Sequence, residues 1–292
     1  MVSEDKPLAP GLYLVATPIG NLEDITLRAL RVLESVDRIA CEDTGQTQKL
    51  LNHFQIKKPT VSYHAHNEGS RAEDLMEELK AGGRVAIVSD AGTPGIADPG
   101  GVLVQAAIAA GIAVFPVPGA NAAISALIAG GLPSENFFFH GFLPSKAGQR
   151  KTFLERLAAG GFRVQDEGTH PTHVFYDSPQ RIVETLADVE AVFGSSHGVV
   201  IARELTKMHE EFLRGPVSSV RETLAARDSV RGEIVLLLAG EFATAVAAGS
   251  IADAVSALMK DGLSEKDALK RVAKERGLGK SDAYREWQRS RP

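Results

Sequence analysis

The segment Ser89-Asp90-Ala91-Gly92-Thr93-Pro94-Gly95-Ile96-Ala97-Asp98-Pro99-Gly100-Gly101 contains four glycines, two prolines and two aspartates. It follows an apolar run at residues 85–88 that is typical of a buried strand, and it precedes an alanine-rich run at residues 102–110 that predicts a helix. A loop with so few bulky side chains lets the backbone approach a ligand, and ligands of open α/β sheets bind at the carboxyl ends of strands. We therefore expect a ligand-binding loop between a strand and a helix.

The first half of the chain alternates between strand-like and helix-like runs. Strands are predicted near residues 12–16, 38–41, 60–63, 85–89 and 113–117, and helices near 26–34, 44–52 and 70–80, with Thr44 as the N-cap of the second. A polar loop is predicted at residues 64–68. This alternation is typical of a parallel sheet with helices on both faces. A hinge predicted at residues 116–119 limits an N-terminal α/β domain to residues 1–117.

The second half has a different pattern. Strands are predicted near residues 137–139, 172–176, 199–202, 211–213 and 233–238, and the pair near 200 and 212 is close enough for an antiparallel hairpin. These runs predict a mixed sheet in a C-terminal α/β domain spanning residues 118–240, with a surface loop at 160–171. Residues 241–292 are predicted to form a small basic helical tail, with helices near 251–260, 264–275 and 281–288.

Charge and cysteine content narrow the classes of protein that fit. The net charge of −5 is no general signature of nucleic-acid binding, although residues 260–292 hold ten Lys or Arg against six Asp or Glu. The single cysteine, Cys41, excludes an intrachain disulfide and a cysteine-rich metal site. The first ten residues hold no apolar run typical of a secretory signal, and no apolar run reaches the roughly 20 residues of a membrane span. We therefore expect a cytoplasmic protein without a membrane segment.

Several common ligand-binding motifs are missing from the sequence. It contains no Gly-x-x-x-x-Gly-Lys-Ser/Thr, no Gly-x-Gly-x-x-Gly after the first predicted strand and no Gly-x-Ser-x-Gly. P-loop ATP chemistry, a Rossmann-type dinucleotide or methyl-donor site and serine-hydrolase chemistry are therefore not predicted. His64 and His66 alternate along an extended segment and would point apart, so we expect no metal site.

The glycine- and proline-bearing loops, in their order along the chain, resemble the tetrapyrrole-methylase superfamily and, within it, the branch that methylates small-subunit ribosomal RNA. The matching segments are residues 12–22, 41–44, 66–68, 89–100, 118–120, 175–179, 203–207 and 232–233, so the resemblance runs from about residue 11 to 240. The chain departs from the family pattern at Gly45, Asp177 and Gln180, where the family has Arg, Glu and His, and it retains Arg181.

The resemblance implies a fold, a cofactor and a substrate. It implies two α/β domains of the tetrapyrrole-methylase type, a parallel-rich N-terminal sheet and a mixed C-terminal sheet, with S-adenosylmethionine in the cleft between them. It also implies a homodimer that methylates the 2′-oxygen of a cytidine ribose in the 16S RNA of the small ribosomal subunit. Carried over by position, the donor contacts fall on Pro18, Asp90, Ala91, Gly92, Thr93, Ile96, Ala97, Ser125, Ala126, Tyr176, Leu205 and Gly232.

Methyl transfer to a ribose hydroxyl is an in-line displacement that benefits from a general base or from a cation near the developing alkoxide. The candidates are Asp43, Glu68, Lys207 and Glu210. We favour Asp43 and Glu68 as base and Lys207 as the cation. Two alternatives stay open: the same fold methylates tetrapyrroles or a modified histidine of a translation factor (a diphthine-type reaction), and a non-catalytic RNA-binding assembly factor would keep the donor pocket.

Overall fold

A computed structural model describes residues 7–160, 171–240, 255, 258–259, 263–275, 284 and 287. The chain forms two compact units, Met1–Glu241 and Phe242–Pro292. Most of the surface loop predicted at residues 160–171 and of the tail helices predicted at 251–260 and 281–288 lies outside the described residues. The three-domain division at residues 117 and 240 stays a prediction.

The first sheet is wholly parallel, as the alternation of runs predicts. Its strands lie in the order β3-β2-β4-β1-β5, with helices or short helical turns in the connections. The strands are β1 (Gly11–Val15), β2 (Arg38–Cys41), β3 (Thr60–Ser62), β4 (Arg84–Val88) and β5 (Val114–Val117). The helices are α1 (Leu27–Ser35), α2 (Thr44–His53), α3 (Glu68–Lys80) and α4 (Gly101–Ala109), and a short 3-10 helix spans Leu22–Asp24.

Apolar side chains bury both faces of this sheet. Leu33 of α1 and Leu51 of α2 pack in one core with Ile39 of β2. On the opposite face, Leu75 of α3 and Leu103 of α4 pack in a second core with residues of β1 and β4. Because helices cover both faces, the carboxyl ends of the parallel strands are the edge that is open to ligands.

The second sheet is mixed. It has the order β6-β7-β10-β8-β9, in which only β6 and β7 pair parallel, and β8 and β9 form the predicted antiparallel hairpin. The strands are β6 (Phe137–Phe142), β7 (Thr172–Asp177), β8 (Gly198–Arg203), β9 (Glu211–Pro216) and β10 (Ile234–Leu238). The helices are α5 (Ala122–Gly130), α6 (Ala147–Ala158), α7 (Ile182–Phe193) and α8 (Val217–Ala225). Helix α5 packs on this sheet through Ala123, Ala126 and Leu127.

Two local predictions were wrong, both at helix starts. Asp43 is the N-cap of α2, not Thr44, because its side chain accepts hydrogen bonds from the backbone nitrogens of Gly45 and Gln46. Glu68 is the first residue of α3, not part of the preceding polar loop. An acidic residue is favourable in the first turn of a helix because the exposed N–H groups there carry partial positive charge.

The second unit contains helix α9 (Glu265–Glu275), at the position predicted for a helix at 264–275. The hydroxyl of Ser264 accepts a hydrogen bond from the backbone nitrogen of Asp267 at 3.2 Å, which caps the helix as its sequence predicts. Val272 packs in a small core with Val255 and Trp287. In the part of the chain that the structure describes, no helix has the length and apolar character needed to span a bilayer.

Candidate active site

Three loops meet at the carboxyl edge of the first sheet. Thr17, after β1, and Gly92, after β4, form an antiparallel bridge. The backbone nitrogen of Thr17 lies 2.8 Å from the carbonyl oxygen of Gly92, and the nitrogen of Gly92 lies 3.1 Å from the oxygen of Thr17. Thr93 donates its hydroxyl proton to the carbonyl of Ala120, after β5, at 3.1 Å. Gly92 has φ +84°, and a Cβ there would lie 3.2 Å from Cγ2 of Ile19. A larger residue would therefore strain the junction of these loops.

One edge of the second sheet brings four further strand ends together. Ile234, the first residue of β10, pairs with Asp177 at the end of β7 and with Arg203 at the end of β8. Phe142, at the end of β6, pairs with Tyr176 after a change of register that follows Phe139. The parallel and antiparallel pairings thus place these four strand ends side by side.

The edges of the two sheets enclose a cavity of about 440 Å³. This volume is within the range of small-molecule and cofactor sites, about 300–1,000 Å³. The cavity is lined by Ile19, Glu42, Asp90, Ala91, Gly92, Thr93, Ile96, Ala97, Asp98, Ala122, Phe142, Tyr176, Asp177, Ser178, Pro179, Ala202, Leu205, Gly232, Glu233, Ile234 and Val235. Its wall therefore combines an apolar surface with several carboxylates.

Most of the residues predicted to contact the donor line this cavity. These are Asp90, Ala91, Gly92, Thr93, Ile96, Ala97, Tyr176, Leu205 and Gly232. Pro18, Ser125 and Ala126 are not among the lining residues, and Ala126 is fully buried in the core beneath α5. The structure brings nine of the twelve predicted positions to one cavity, and their roles in ligand binding stay predictions.

None of the residues predicted to act in catalysis is among those that line the cavity. The side chain of Asp43 caps the backbone at the start of α2. Its Oδ1 accepts hydrogen bonds from the backbone nitrogens of Gly45 at 2.7 Å and Gln46 at 3.1 Å. Its own backbone nitrogen donates to Oδ1 of Asp90 at 3.0 Å. Asp43 thus links the start of α2 to a residue of the cavity wall.

Glu68 holds the far end of the glycine-rich loop. Its Oε1 accepts hydrogen bonds from the hydroxyl of Tyr63 at 3.0 Å and from the backbone nitrogens of Gly100 at 3.0 Å and Val102 at 3.2 Å. Burial opposes ionisation of Glu68, but these hydrogen bonds stabilise the carboxylate and lower its pKa. Burial, followed by the Glu68 carboxylate, raises the pKa of Tyr63.

Lys207 pairs with a residue of the cavity wall. Its Nζ is 2.9 Å from Oε1 of Glu204 and 3.0 Å from Oε2 of Glu233, a residue of the cavity wall. Burial lowers the pKa of Lys207, but the hydrogen bonds to both carboxylates outweigh it and the pKa is raised. A Cβ on Gly20 would lie 2.5 Å from Cγ of Lys207, so the lysine stem packs closely on the loop after β1. Glu210, the remaining candidate, accepts a hydrogen bond from the backbone nitrogen of Thr206 at 2.6 Å.

Of the five acidic residues of the cavity wall, sequence reasoning named only Asp90 as a site residue and missed Glu42, Asp98, Asp177 and Glu233. Burial, followed by the charges of Glu42 and Asp90, raises the pKa of Asp98 to about 6. Burial, followed by the charge of Asp90, raises the pKa of Glu42. Glu42 directly follows β2, which pairs with β4. Its position at the carboxyl end of a predicted parallel strand could therefore have identified it as a candidate site residue.

Comparison with known proteins assigns the chain to a family. The family model of Tetrapyrrole (Corrin/Porphyrin) Methylases matches residues 11–221. The chain is 46% identical over 279 residues to "Ribosomal RNA small subunit methyltransferase I" of Halalkalibacterium halodurans, covering 94% of this chain and 93% of that protein. It is 43% identical over 276 residues to the protein of the same name from Synechocystis, covering 94% and 95%.

Solved structures share the fold at low sequence identity. Diphthine synthase superposes with a TM-score of 0.58 at 15% identity, over 78% of this chain and 89% of that one. Uroporphyrin-III C-methyltransferase from Thermus thermophilus, complexed with S-adenosyl homocysteine, superposes with a TM-score of 0.52 at 19% identity, over 78% and 96%. The chain therefore belongs to the tetrapyrrole methylase family and groups within it with the ribosomal RNA small subunit methyltransferases I.

Proposed function

We propose that this protein transfers the methyl group of S-adenosylmethionine to the 2′-oxygen of a cytidine ribose in the 16S RNA of the small ribosomal subunit. The observation that carries the proposal is the cavity between the two sheet edges, in a chain 46% identical to a named ribosomal RNA small subunit methyltransferase I. The reading as a tetrapyrrole or diphthine-type methyltransferase rests on structures that are 20% identical or less, which support the fold alone.

The cavity fits the donor in size and charge. When bound, S-adenosylmethionine supplies a methyl group on a positively charged sulfur. Asp90 and Glu233 place negative charge in the wall, and Tyr176 offers an aromatic surface to a nucleoside base. The absence of a side chain at Gly92 lets its loop pack closely on Ile19, and both residues line the cavity. We expect the nine predicted residues that line the cavity to contact the donor, and Pro18, Ser125 and Ala126 to support that wall from behind.

We expect Asp43, Glu68 and Lys207 to act mainly by holding the loops of the site. Asp43 and Glu68 each accept backbone hydrogen bonds at a helix start, which positions them to order the segments on either side of the cavity. Lys207 differs because its ammonium group stands beside the wall residue Glu233, where it reduces the negative charge that an RNA phosphate would meet. Of the three, Lys207 is the one that we expect to influence the acceptor directly.

We also propose that the protein acts as a homodimer in the cytoplasm. Ile124 and Ile128 lie four residues apart on α5 and are 41% and 73% exposed, so one face of this helix presents apolar surface to solvent. Sedimentation equilibrium over a range of concentrations measures the mass directly. A monomer at every concentration would contradict the dimer and leave the proposed reaction untouched.

The proposed reaction is tested with tritiated S-adenosylmethionine and small ribosomal subunits from a strain that lacks this gene. Nuclease digestion and nucleoside analysis then locate the label. Label in 2′-O-methylcytidine is the expected result. The absence of label in RNA, while calorimetry shows binding of S-adenosylhomocysteine, would contradict the proposal. Label on a tetrapyrrole acceptor would then favour a tetrapyrrole methyltransferase. The absence of label on any acceptor would favour a non-catalytic RNA-binding assembly factor.

A further inference from the structure

Five carboxylates line the cavity, and three of them are held by other groups. Oδ1 of Asp90 accepts the backbone N–H of Asp43. Oδ1 of Asp177 accepts the backbone N–H of Ser178 and pairs with the guanidinium of Arg181. Oε2 of Glu233 pairs with Nζ of Lys207 at 3.0 Å. Within the described residues, the two wall carboxylates that neither pair with a cation nor cap a backbone N–H are those of Glu42 and Asp98.

The backbone before Asp98 is held in an unfavourable conformation. Ala97 has φ +63°, in the left-handed region, and the same loop also uses positive φ at Gly95 (+80°) and Gly100 (+138°). A residue with a side chain in this region costs about 1–2 kcal/mol, and such residues persist where their surroundings hold them, often at active sites. The loop therefore keeps Asp98 at the cavity wall at a cost to local stability.

The electrostatic surroundings of Asp98 suit a proton acceptor near neutral pH. Burial, then Glu42 from the end of β2 and Asp90 from the loop after β4, raise the pKa of Asp98 to about 6, and a hydrogen bond with the hydroxyl of Ser89 opposes the shift. From β7, Tyr176 interacts with Asp98, and Glu42 in turn faces His64. A general base is most effective when its pKa lies near the working pH, because it is then ionised yet still has affinity for a proton.

We propose, on the basis of the function proposed above, that Asp98 is the general base that removes the proton from the acceptor ribose hydroxyl. As the ribose oxygen bonds to the methyl carbon, its proton passes to the Asp98 carboxylate. The bond between that carbon and sulfur breaks, and its electron pair stays on sulfur, which becomes a neutral thioether. Glu42 is a positioning residue that acts through Asp98, because its negative charge increases the proton affinity of the Asp98 carboxylate.

The test compares wild type with Asp98→Asn, which keeps the size of the side chain and removes its basicity. Single-turnover methylation of small subunits is measured from about pH 5.5 to about pH 9. We expect the wild-type rate to fall at acidic pH with an apparent pKa near 6. We expect Asp98→Asn to lose about 10²–10⁴-fold in rate, the usual contribution of a general base, while calorimetry shows binding of S-adenosylhomocysteine within about threefold of wild type.

A second variant keeps the proposal testable if Asp98→Asn disturbs the loop. Glu42→Gln removes a charge that raises the pKa of Asp98, so the acidic limb of its rate profile is expected to shift to lower pH while turnover persists. Formate added to Asp98→Ala is expected to restore part of the rate, because it supplies a carboxylate to the vacated space.

Three results would overturn the proposal while the proposed function stands. The first is a methylation rate of Asp98→Asn within about threefold of wild type. The second is a Glu42→Gln variant whose rate falls at the same acidic pH as that of wild type. The third is an Asp98→Ala variant that binds S-adenosylhomocysteine normally but gains no rate from added formate. Absence of methyl transfer by the wild-type protein itself would remove the proposed function, and the role of Asp98 with it.

Discussion

Oε1 of Glu68 lies 3.0 Å from the backbone nitrogen of Gly100, so the first residue of α3 holds the residue at which the glycine-rich loop passes into α4. Gly100 has φ +138° and provides no side chain to cap α4. The carboxylate of Glu68 therefore performs from a distance the task of a helix cap, since it also accepts the backbone N–H of Val102 in the first turn of α4.

Glu68→Ala is expected to lower the free energy of unfolding by about 1–3 kcal/mol, because two backbone N–H groups and the hydroxyl of Tyr63 lose their acceptor. The affinity for S-adenosylhomocysteine should fall as well, since the loop that lines the cavity loses its anchor. Glu68→Gln keeps an acceptor oxygen and should lose less of both. Urea unfolding and calorimetry measure these effects. A Glu68→Gln variant with normal stability and binding but no turnover would instead support Glu68 as the base.

Lys207→Met keeps the stem that packs on Gly20 and removes the charge between Glu204 and Glu233. The two carboxylates would then repel RNA phosphates, so kcat/KM for small subunits should fall by about tenfold or more while binding of S-adenosylhomocysteine persists. Adding Glu233→Gln to Lys207→Met should restore part of the loss. An unchanged kcat/KM in the single variant would show that the charge of Lys207 does not affect the acceptor.

Phe142 is 60% exposed beside the cavity, with its ring centroid 5.5 Å from that of Tyr176. Unpaired RNA bases commonly stack on exposed aromatic side chains, at about 1–3 kcal/mol per base. Phe142→Ala is therefore expected to raise the KM for small subunits, and Phe142→Tyr to preserve it. Phe137, at the start of the same strand and 39% exposed, provides the matched control. Equal effects of Phe142→Ala and Phe137→Ala on KM would argue against stacking at the cavity.

Glu211 makes the stability of the second sheet sensitive to acid. Hydrogen bonds from Arg227, and then from Arg203, lower its pKa from the ordinary 4.5 to about 2. Because the pKa of Glu211 is lower in the folded state, its ionised carboxylate contributes its full stabilisation at any pH above the ordinary pKa of 4.5. That stabilisation is lost as the pH falls from about 5 toward 2. Its upper limit is about 3 kcal/mol. Urea unfolding should therefore show a large difference between wild type and Glu211→Gln at pH 7 and a smaller one at pH 3. A difference independent of pH would contradict this assignment.

Removal of residues 242–292 deletes the second compact unit, and we expect the first unit to remain folded because it forms its own two sheets. Helix α9 exposes Lys266, Lys270 and Arg271, so the truncated protein should bind small subunits more weakly and with a shallower dependence on salt. Calorimetry with S-adenosylhomocysteine serves as the control for the cavity. Unchanged affinity for small subunits would indicate a structural role for the second unit.

The sequence predicts the succession of strands, and the loop that lines the cavity, better than it predicts which acidic side chains stand in the cavity wall. Residues 89–101 were identifiable because glycine and proline density between a strand and a helix has few other causes. Asp98 lies in the same segment, but its backbone follows a left-handed Ala97 and its raised pKa depends on burial and on the charges of Glu42 and Asp90. Neither can be read from local composition.

Asp43 and Glu68 show why the role of an acidic residue is hard to infer from sequence alone. The sequence predicts both as bases of the first domain that face the cleft, and that role stays a prediction. In the structure, each carboxylate accepts N–H groups at the start of a helix. A polar side chain near a helix start can serve backbone or ligand with the same atoms, and only the three-dimensional arrangement distinguishes the two.

The bridge between Thr17 and Gly92 affects the entropy cost of binding a ligand in the cavity. It joins the loops after β1 and β4 through both backbone N–H groups, and Thr17 also donates its hydroxyl proton to the carbonyl of Ser89. Because the two loops are already ordered by folding, a ligand does not have to immobilise them when it arrives. Much of the entropy loss that weakens binding at flexible sites is thereby avoided. We therefore expect these two loops to be preorganised for binding.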